Sequence, residues 1–162
     1  LGFGDVARTA HALVDADPEV VTLVVTGHND ALRRRLETEG DRGGRLRVLG
    51  WTDDVPGLLA ASDVMVTNAG GSTAMEALAC GRAVIMHRPI AGHGLANAHL
   101  MAEAGLADIT KDEEQLTATV RRLHGDPSLV ARREEQALGA ARKHRLADVL
   151  ARLGERALHE VA

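Results

Sequence analysis

Short runs of apolar, often β-branched residues alternate with segments of helical periodicity along most of the chain. The apolar runs predict five strands, at residues 20–26, 46–49, 64–66, 83–86 and 107–110. The segments beside and between them predict helices at residues 5–16, 30–39, 55–61, 72–80, 95–103 and 112–124. From residue 126 the pattern is helical to the end, with a break expected at 144–146. Alternating strands and helices predict an α/β fold, a Rossmann-like doubly wound parallel sheet with a helical C-terminus.

The run Val20 to Thr26 predicts a strand covered on both faces, because it contains no charged residue. The chain opens with Leu1 and a glycine-rich loop, which we interpret as the loop after a further strand. In a Rossmann-type order that strand is central. We therefore expect residues 1–162 to be one domain, and a fragment of a larger protein.

Composition narrows the class of protein. The chain is 45% hydrophobic and only 1% aromatic, so Ala, Leu and Val must build the core. Its net charge is −4, with basic and acidic residues well mixed, and no basic stripe predicts a nucleic-acid partner. A single cysteine, Cys80, excludes an internal disulfide, and neither a signal peptide nor an apolar run of about 20 residues occurs. We expect a cytoplasmic protein.

The turn Asn68-Ala69-Gly70-Gly71 is the strongest functional signal. It follows the third predicted strand and leads into a helix that opens with Ser72 and Thr73. Unpaired N–H groups and the positive end of the helix dipole converge at such a corner, which can hold phosphate. Glu76 shares a helix face with the two hydroxyls, where its carboxylate can accept hydrogen bonds from a diol such as ribose. We interpret the unit as a nucleotide-diphosphate site.

A simpler alternative remains open for this turn, namely Ser72 or Thr73 capping the helix and a solvated Glu76. An ATPase is disfavoured because the turn lacks the Lys of a P-loop. Gly2-x-Gly4-x-x-Ala7 fits the dinucleotide fingerprint. An NAD site also needs an acidic residue at the end of the next strand to hold the ribose, but the strand 20–26 leads into Gly27-His28, and Asp30 comes only after the turn. We favour a phosphate-facing loop of another kind or a tight turn there.

Histidines and the single tryptophan suggest further chemistry, which we weigh against structural roles. His87, His93 and His99 recur every six residues, a spacing that neither a helix nor a strand brings to one point, so we predict no metal site. Trp51 ends the second predicted strand. It could stack on a nucleobase, but we favour a packing role.

The turn at 68–73 with Glu76, then Gly81, the strand 83–86 and the segment Pro89 to Asn97, resembles the donor-binding half of GT-B glycosyltransferases. The resemblance is strongest to the branch with monogalactosyldiacylglycerol synthases, bacterial diacylglycerol glucosyltransferases and the MurG lipid-linked N-acetylglucosaminyltransferase. It implies the C-terminal half of a GT-B fold, with the N-terminal acceptor-binding domain absent. It also implies transfer of galactose, glucose or N-acetylglucosamine from a UDP-sugar to a lipid or other hydrophobic acceptor at the membrane surface.

The resemblance also implies roles for individual residues. Gly70, Gly71, Ser72 and Thr73 would hold the diphosphate with Asn68 beside them, Glu76 the ribose, backbone near Trp51, Thr52 and Val55 the uracil, while Gly2 and Gly4 border the phosphates and Gly92, His93 and Asn97 read the sugar. No metal or other cofactor is implied, because helix dipole and N–H groups offset the charge of the leaving diphosphate. The catalytic base would lie in the N-terminal domain.

The sequence departs from this pattern in the sugar loop. Ala96 stands where the family usually has Glu or Gln, and His93-Gly94 stands where the lipid glycosyltransferases have Gln-Glu. Asn97 is kept, and His93 substitutes in part. Macrolide and flavonoid glycosyltransferases usually carry His at the place of Asn68, which favours the lipid branch.

Three other functions remain open at this stage. A UDP-sugar epimerase has the same architecture but needs a pair of acid/base carboxylates, which the sequence does not reveal. A non-catalytic nucleotide-binding module would keep the fold and tolerate Ala96. A dehydrogenase depends on the glycine fingerprint alone.

Overall fold

A computed structural model describes residues 5–69 and 71–143. Its helices and strands, in chain order, are α1 (Val6–Val14), β1 (Thr22–Val25), α2 (Asp30–Glu39), β2 (Leu46–Leu49), α3 (Val55–Ala60), β3 (Val64–Thr67), α4 (Ser72–Ala79), β4 (Ala83–His87), α5 (His93–Glu103), β5 (Ala107–Thr110), α6 (Glu113–Gly125) and α7 (Pro127–Lys143). Every predicted strand and helix up to residue 143 is present. The break expected at 144–146 and the site residues Gly2, Gly4 and Gly70 lie outside the described residues.

All strand pairs are parallel, as the doubly wound fold requires, but they form two hydrogen-bonded sheets. Strand β1 pairs with β2, with Val25 opposite Leu49. Strand β4 lies between β3 and β5. Within the described residues no ladder joins the two sheets, so the single sheet that the sequence predicts is divided between β1–β2 and β3–β4–β5. The strand expected ahead of Leu1 remains a prediction.

Helices cover both faces of the β3–β4–β5 sheet. Val84 and Met86 of β4 pack with α3, α4, α5 and α7 in one core cluster. Ile85, which points to the opposite face because side chains alternate along a strand, packs with α6. Leu13 of α1 joins that second cluster, so α1 contacts both sheets. This is the layered arrangement of a doubly wound α/β domain.

Strand β1 is not covered on both faces, as the sequence predicts, but on one face only. Val24 is buried beneath α1 and α2. Val25, on the other face, is 45% exposed, and Val21 just before the strand is 56% exposed. The prediction was wrong because both neighbouring helices pack on the same side of this two-stranded sheet.

In the described part of the chain, several helices begin with a polar residue whose side chain caps the helix. The carboxylate of Asp5, Asp54 or Asp112, or the amide oxygen of Asn29, accepts a backbone N–H three residues further on. Such caps satisfy N–H groups that the helix itself leaves unpaired. Helix α4 differs, since its N-cap is Gly71 and no side chain caps it.

Candidate functional site

The loops that follow the five strands meet at one edge, which we call the carboxyl edge, because parallel strands end on the same side. They are residues 26–29, 50–54, 68–71, 88–92 and 111–112. Most of the predicted site residues within the described part of the chain lie in these loops or in the first turns of the helices that they enter. Glu76 and Asn97 lie in the second turns of α4 and α5.

The turn after β3 leads into a helix N-terminus that no side chain caps. Gly71 precedes α4, whose first residues are Ser72 and Thr73. Ser72 is exposed and Thr73 half-buried, and neither caps the helix. The capping role offered as the simpler reading is therefore wrong. The first-turn N–H groups and the positive end of the dipole are left without a capping side chain.

Helix α4 is held in place by its buried face. Ala74, Ala77 and Leu78 are buried in the core against α3 and α7. Glu76 therefore faces outward, is exposed, and makes no hydrogen bond or ion pair with the described residues. An uncommitted carboxylate one turn behind the corner is accessible to a ligand. Its contact with a ribose remains a prediction.

The neighbouring loop after β4 is tied to this corner. The N–H of Ile90 donates to the carbonyl of Asn68 over 3.2 Å, which joins the ends of β3 and β4. Gly92 has a φ of +86°, a backbone conformation that favours glycine, and directly precedes α5. Helix α5 begins at His93, two residues earlier than predicted, and carries exposed Asn97 in its second turn. The His93 side chain lies outside the described part of the structure.

The segment after β2 is a rigid turn. The Thr52 hydroxyl accepts the N–H of Asp54 at 3.1 Å, and Asp54 caps α3 at Val55. Trp51 does not pack into the core as we favoured, since its side chain is 63% exposed. Its ring stacks on that of His28, with centroids 4.3 Å apart and planes 7° apart.

An ion-pair network that the sequence did not reveal borders the carboxyl edge. Glu113 of α6 binds the guanidinium groups of Arg8 and Arg88, each over 2.9 Å. Arg88 has a φ of +49° and follows β4 directly. The network joins α1 and the loop after β4 to α6. Arg8 is far from Arg88 and Glu113 along the chain, so no local pattern could have indicated the network.

His87, at the end of β4, is a buried imidazole. Its Nδ1 lies 2.9 Å from the Thr110 hydroxyl, whereas its buried Nε2 has no hydrogen-bond partner. Burial lowers the pKa of His87 below the ordinary value of about 6.5, because the charged form loses hydration. That His87, His93 and His99 hold no metal ion stays a prediction.

One group of potential metal ligands occurs among the described residues. It consists of Asp17, Glu19 and His124, whose ligand atoms lie within 4.8 Å of one another. It precedes β1 and therefore sits at the edge opposite to the carboxyl edge. His124 lies 3.2 Å from Glu19 and 3.6 Å from Asp17, contacts that an ordinary surface ion pair explains.

No helix in residues 5–69 and 71–143 combines the length and the apolar character that crossing a membrane requires.

Comparison with known proteins gives a family match over most of the chain. The family model described as "Glycosyl transferases group 1" matches residues 2–126. The processive diacylglycerol beta-glucosyltransferase of Bacillus subtilis (strain 168) is 33% identical over 117 residues, which are 72% of this chain and 31% of that protein. The enzyme of the same name from Staphylococcus carnosus (strain TM300) is 30% identical over 124 residues, 76% of this chain and 32% of that protein. The chain thus spans about a third of the length of these relatives.

Solved glycosyltransferase structures have the same fold. The glycotransferase of kitacinnamycin superposes with a TM-score of 0.68 at 26% identity, over 96% of this chain and 40% of that one. Anabaena Alr3699/HepE in complex with UDP-glucose superposes with a TM-score of 0.66 at 20% identity, over 94% of this chain and 45% of that one. The second likeness concerns the fold alone.

Proposed function

This chain belongs to the glycosyl transferases group 1 family, and we propose that it is the donor-binding domain of an enzyme that moves a hexose from a UDP-sugar to a lipid acceptor. Residues 1–162 form the donor domain in this proposal, with an acceptor-binding domain elsewhere in the full protein. The relatives are named as diacylglycerol glucosyltransferases, which supports a lipid acceptor and favours glucose. The full protein would work in the cytoplasm, at the membrane surface.

The uncapped N-terminus of α4 is the observation that carries the proposal. Its N–H groups lie beside Gly71, Ser72 and Thr73, where they would bind a diphosphate. Gly70, the fourth residue that we predict at this site, lies outside the described residues. When the bond between sugar and phosphate breaks, negative charge builds on the departing diphosphate. Preoriented N–H groups stabilise that charge without having to reorganise, so the reaction needs no metal ion in this proposal.

The remaining subsites follow from the loops around that corner. Glu76, one helical turn behind it, accepts hydrogen bonds from the ribose hydroxyls. Gly92 ends the adjoining loop, and His93 and Asn97 lie in the first two turns of α5. In this proposal these three residues bind the hexose. The loop after β2 holds the uracil. The base that activates the acceptor hydroxyl comes from the acceptor-binding domain.

Calorimetric titration with UDP tests the proposal through Glu76→Ala. The loss of a charge-assisted hydrogen bond to ribose costs roughly 1.5–3 kcal/mol. We therefore expect the dissociation constant for UDP to rise roughly tenfold to a hundredfold. Glu135→Ala is the matched control, because Glu135 is an exposed carboxylate on α7, away from the carboxyl edge. Equal affinities of Glu76→Ala and the wild type would remove Glu76 from the site, and no binding of UDP to the wild type would remove the proposal.

A further inference from the structure

The stacked pair His28 and Trp51 is the part of the carboxyl edge whose arrangement is not explained by core packing. The two rings are nearly parallel, with an angle of 7° between their planes. Yet His28 is exposed and Trp51 is 63% exposed, so neither ring is placed there by burial. Covering the exposed face of the indole with a ligand would be favourable, because it removes apolar surface from water.

Two contacts fix the orientation of the indole. Its Nε1 donates to the carboxylate of Asp53 over 3.1 Å, which anchors the ring edge. His28 lies against one ring face, which prevents the indole from swinging to that side. Side chains on the surface usually keep their rotational freedom, because fixing them costs entropy. An exposed indole held at its edge and on one face is preorganised to bind a flat partner on the other face.

The backbone beneath both rings is also fixed. Thr26, just after β1, bonds through both its N–H and its hydroxyl to the carbonyl of Leu49, at 2.8 and 3.0 Å. Val25 is the register partner of Leu49, so the ends of β1 and β2 are level. His28 then follows Gly27, which has a φ of +56°, and precedes the α2 cap Asn29. Parallel pairing therefore brings together two rings that are 23 positions apart.

We propose that His28 is a positioning residue, which holds the indole of Trp51 so that its open face stacks on the nucleobase of the donor. This inference rests on the proposed function, since it names the base-binding surface of the same site. Offset stacking of aromatic rings is favourable and tolerates any planar heterocycle, so stacking supplies affinity and leaves the choice of uracil to polar groups nearby. His28 itself does not touch the nucleotide.

Trp51 is the single tryptophan of the chain, so its fluorescence reports on this surface without background. We expect UDP and uridine to change the Trp51 emission as they bind. Pyrophosphate occupies only the α4 corner and should leave the emission unchanged. A change produced equally by pyrophosphate would mean that a general conformational effect, not base stacking, is being measured, and would overturn the inference.

Variants of His28 separate positioning from simple packing. His28→Ala should weaken UDP binding roughly two- to tenfold, the value of an aromatic pair, and should increase quenching of Trp51 by acrylamide. His28→Phe restores a flat ring and should recover the affinity of the wild type. His124→Ala is the control, an exposed histidine at the opposite edge of the sheets, and should change neither quantity.

The outcomes distinguish this inference from the proposed function. Calorimetric binding of UDP together with an unchanged affinity in His28→Ala would overturn the positioning role and leave the donor site intact. Failure of His28→Phe to rescue the affinity would show that imidazole chemistry is required rather than a flat support, which also overturns it. If UDP does not bind the wild type by calorimetry, the proposed function fails and this inference fails with it.

Discussion

At the scale of single residues, His87 is a buried histidine at the end of the central strand β4. It lies on the same face of β4 as Ile85, and only 4% of its surface is exposed. One ring nitrogen contacts Thr110, and the other is buried without a partner. The fold therefore favours the neutral imidazole, and protonation of His87 at low pH should destabilise the folded protein.

We predict that the protein loses stability as the pH falls below about 6.5, and that His87 contributes to this loss. The pKa of His87 is lowered in the folded state, so below its ordinary value the unfolded chain takes up the proton first. The contribution is present above that value and is lost as the pH falls through the folded pKa. Thermal unfolding at pH 7.5 and at pH 5.5 should show a smaller drop for His87→Gln than for the wild type.

His99→Gln serves as the control for this prediction, because His99 is an exposed histidine on α5. It should keep the pH dependence of the wild type. An equal drop in all three proteins would show that carboxylates or other histidines account for the acid sensitivity.

The residues of the candidate site differ in how far the sequence could predict them. The Asn68–Thr73 corner and Glu76 were found because turn, hydroxyls and carboxylate are close together in the chain. His28 was missed as a partner of Trp51, because their contact depends on the register of two strands. Whether Glu76, Gly92 or Asn97 touches a ligand stays a prediction.

At the scale of helices and strands, local signals determine most bounds. Helix α2 and strands β2 and β5 begin and end where predicted, and Asp5, Asp54 and Asp112 cap the helices that follow them. Helix caps and apolar runs depend on residues that are adjacent in the sequence, which is why the sequence predicts them. The covering of β1 was mispredicted, because it depends on where distant helices pack.

The turn between α4 and β4 carries the clearest prediction at this scale. Gly81 is buried with a φ of +74°, and a Cβ there would lie 3.0 Å from the Leu138 side chain of α7. Gly81→Ala should therefore destabilise the protein by about 1–2 kcal/mol, the cost of a left-handed backbone for a residue with a Cβ. Urea unfolding followed by circular dichroism measures the change.

Gly139→Ala, on α7, makes the same chemical change but is expected to stabilise the protein. A Cβ at Gly139 would meet no atom within 4 Å, and alanine is about 1 kcal/mol better than glycine inside a helix. A stabilised Gly81→Ala variant would contradict the strained turn.

At the scale of the whole molecule, the two sheets are joined through helices. Arg121 of α6 donates to the carbonyl of Ala16 over 2.6 Å, and the Leu13 side chain packs in the cluster of Ile85 and Leu116. Periodicity indicated a parallel α/β fold, but it could not show the division between β1–β2 and β3–β4–β5, because strand pairing is set by contacts distant in sequence.

We predict that Leu116→Ala loosens this junction. Leu116 is fully buried in the cluster that includes α1, so its truncation should cost about 2–5 kcal/mol. Trp51 follows β2 and reports on the β1–β2 part, whereas circular dichroism reports on all helices. The urea midpoint from Trp51 fluorescence should fall below the midpoint from circular dichroism.

Leu78→Ala is the matched control, since Leu78 is buried between α4 and the β3–β4–β5 sheet, away from the junction. It should lower both midpoints together. Coincident midpoints in Leu116→Ala would show that the two sheets unfold as one unit despite the altered junction.

The division of the sheets also has a consequence for how the protein behaves at high concentration. Among the described residues, β1 and β3 each have one neighbouring strand, so each keeps a row of backbone donors and acceptors that no ladder occupies. Neither strand carries a charged side chain, whereas β2 carries Arg47. Charges at such borders normally repel foreign chains. These two borders are therefore where a further strand would pair: the central strand that we expect from the sequence or, without it, an extended segment of another chain at high concentration.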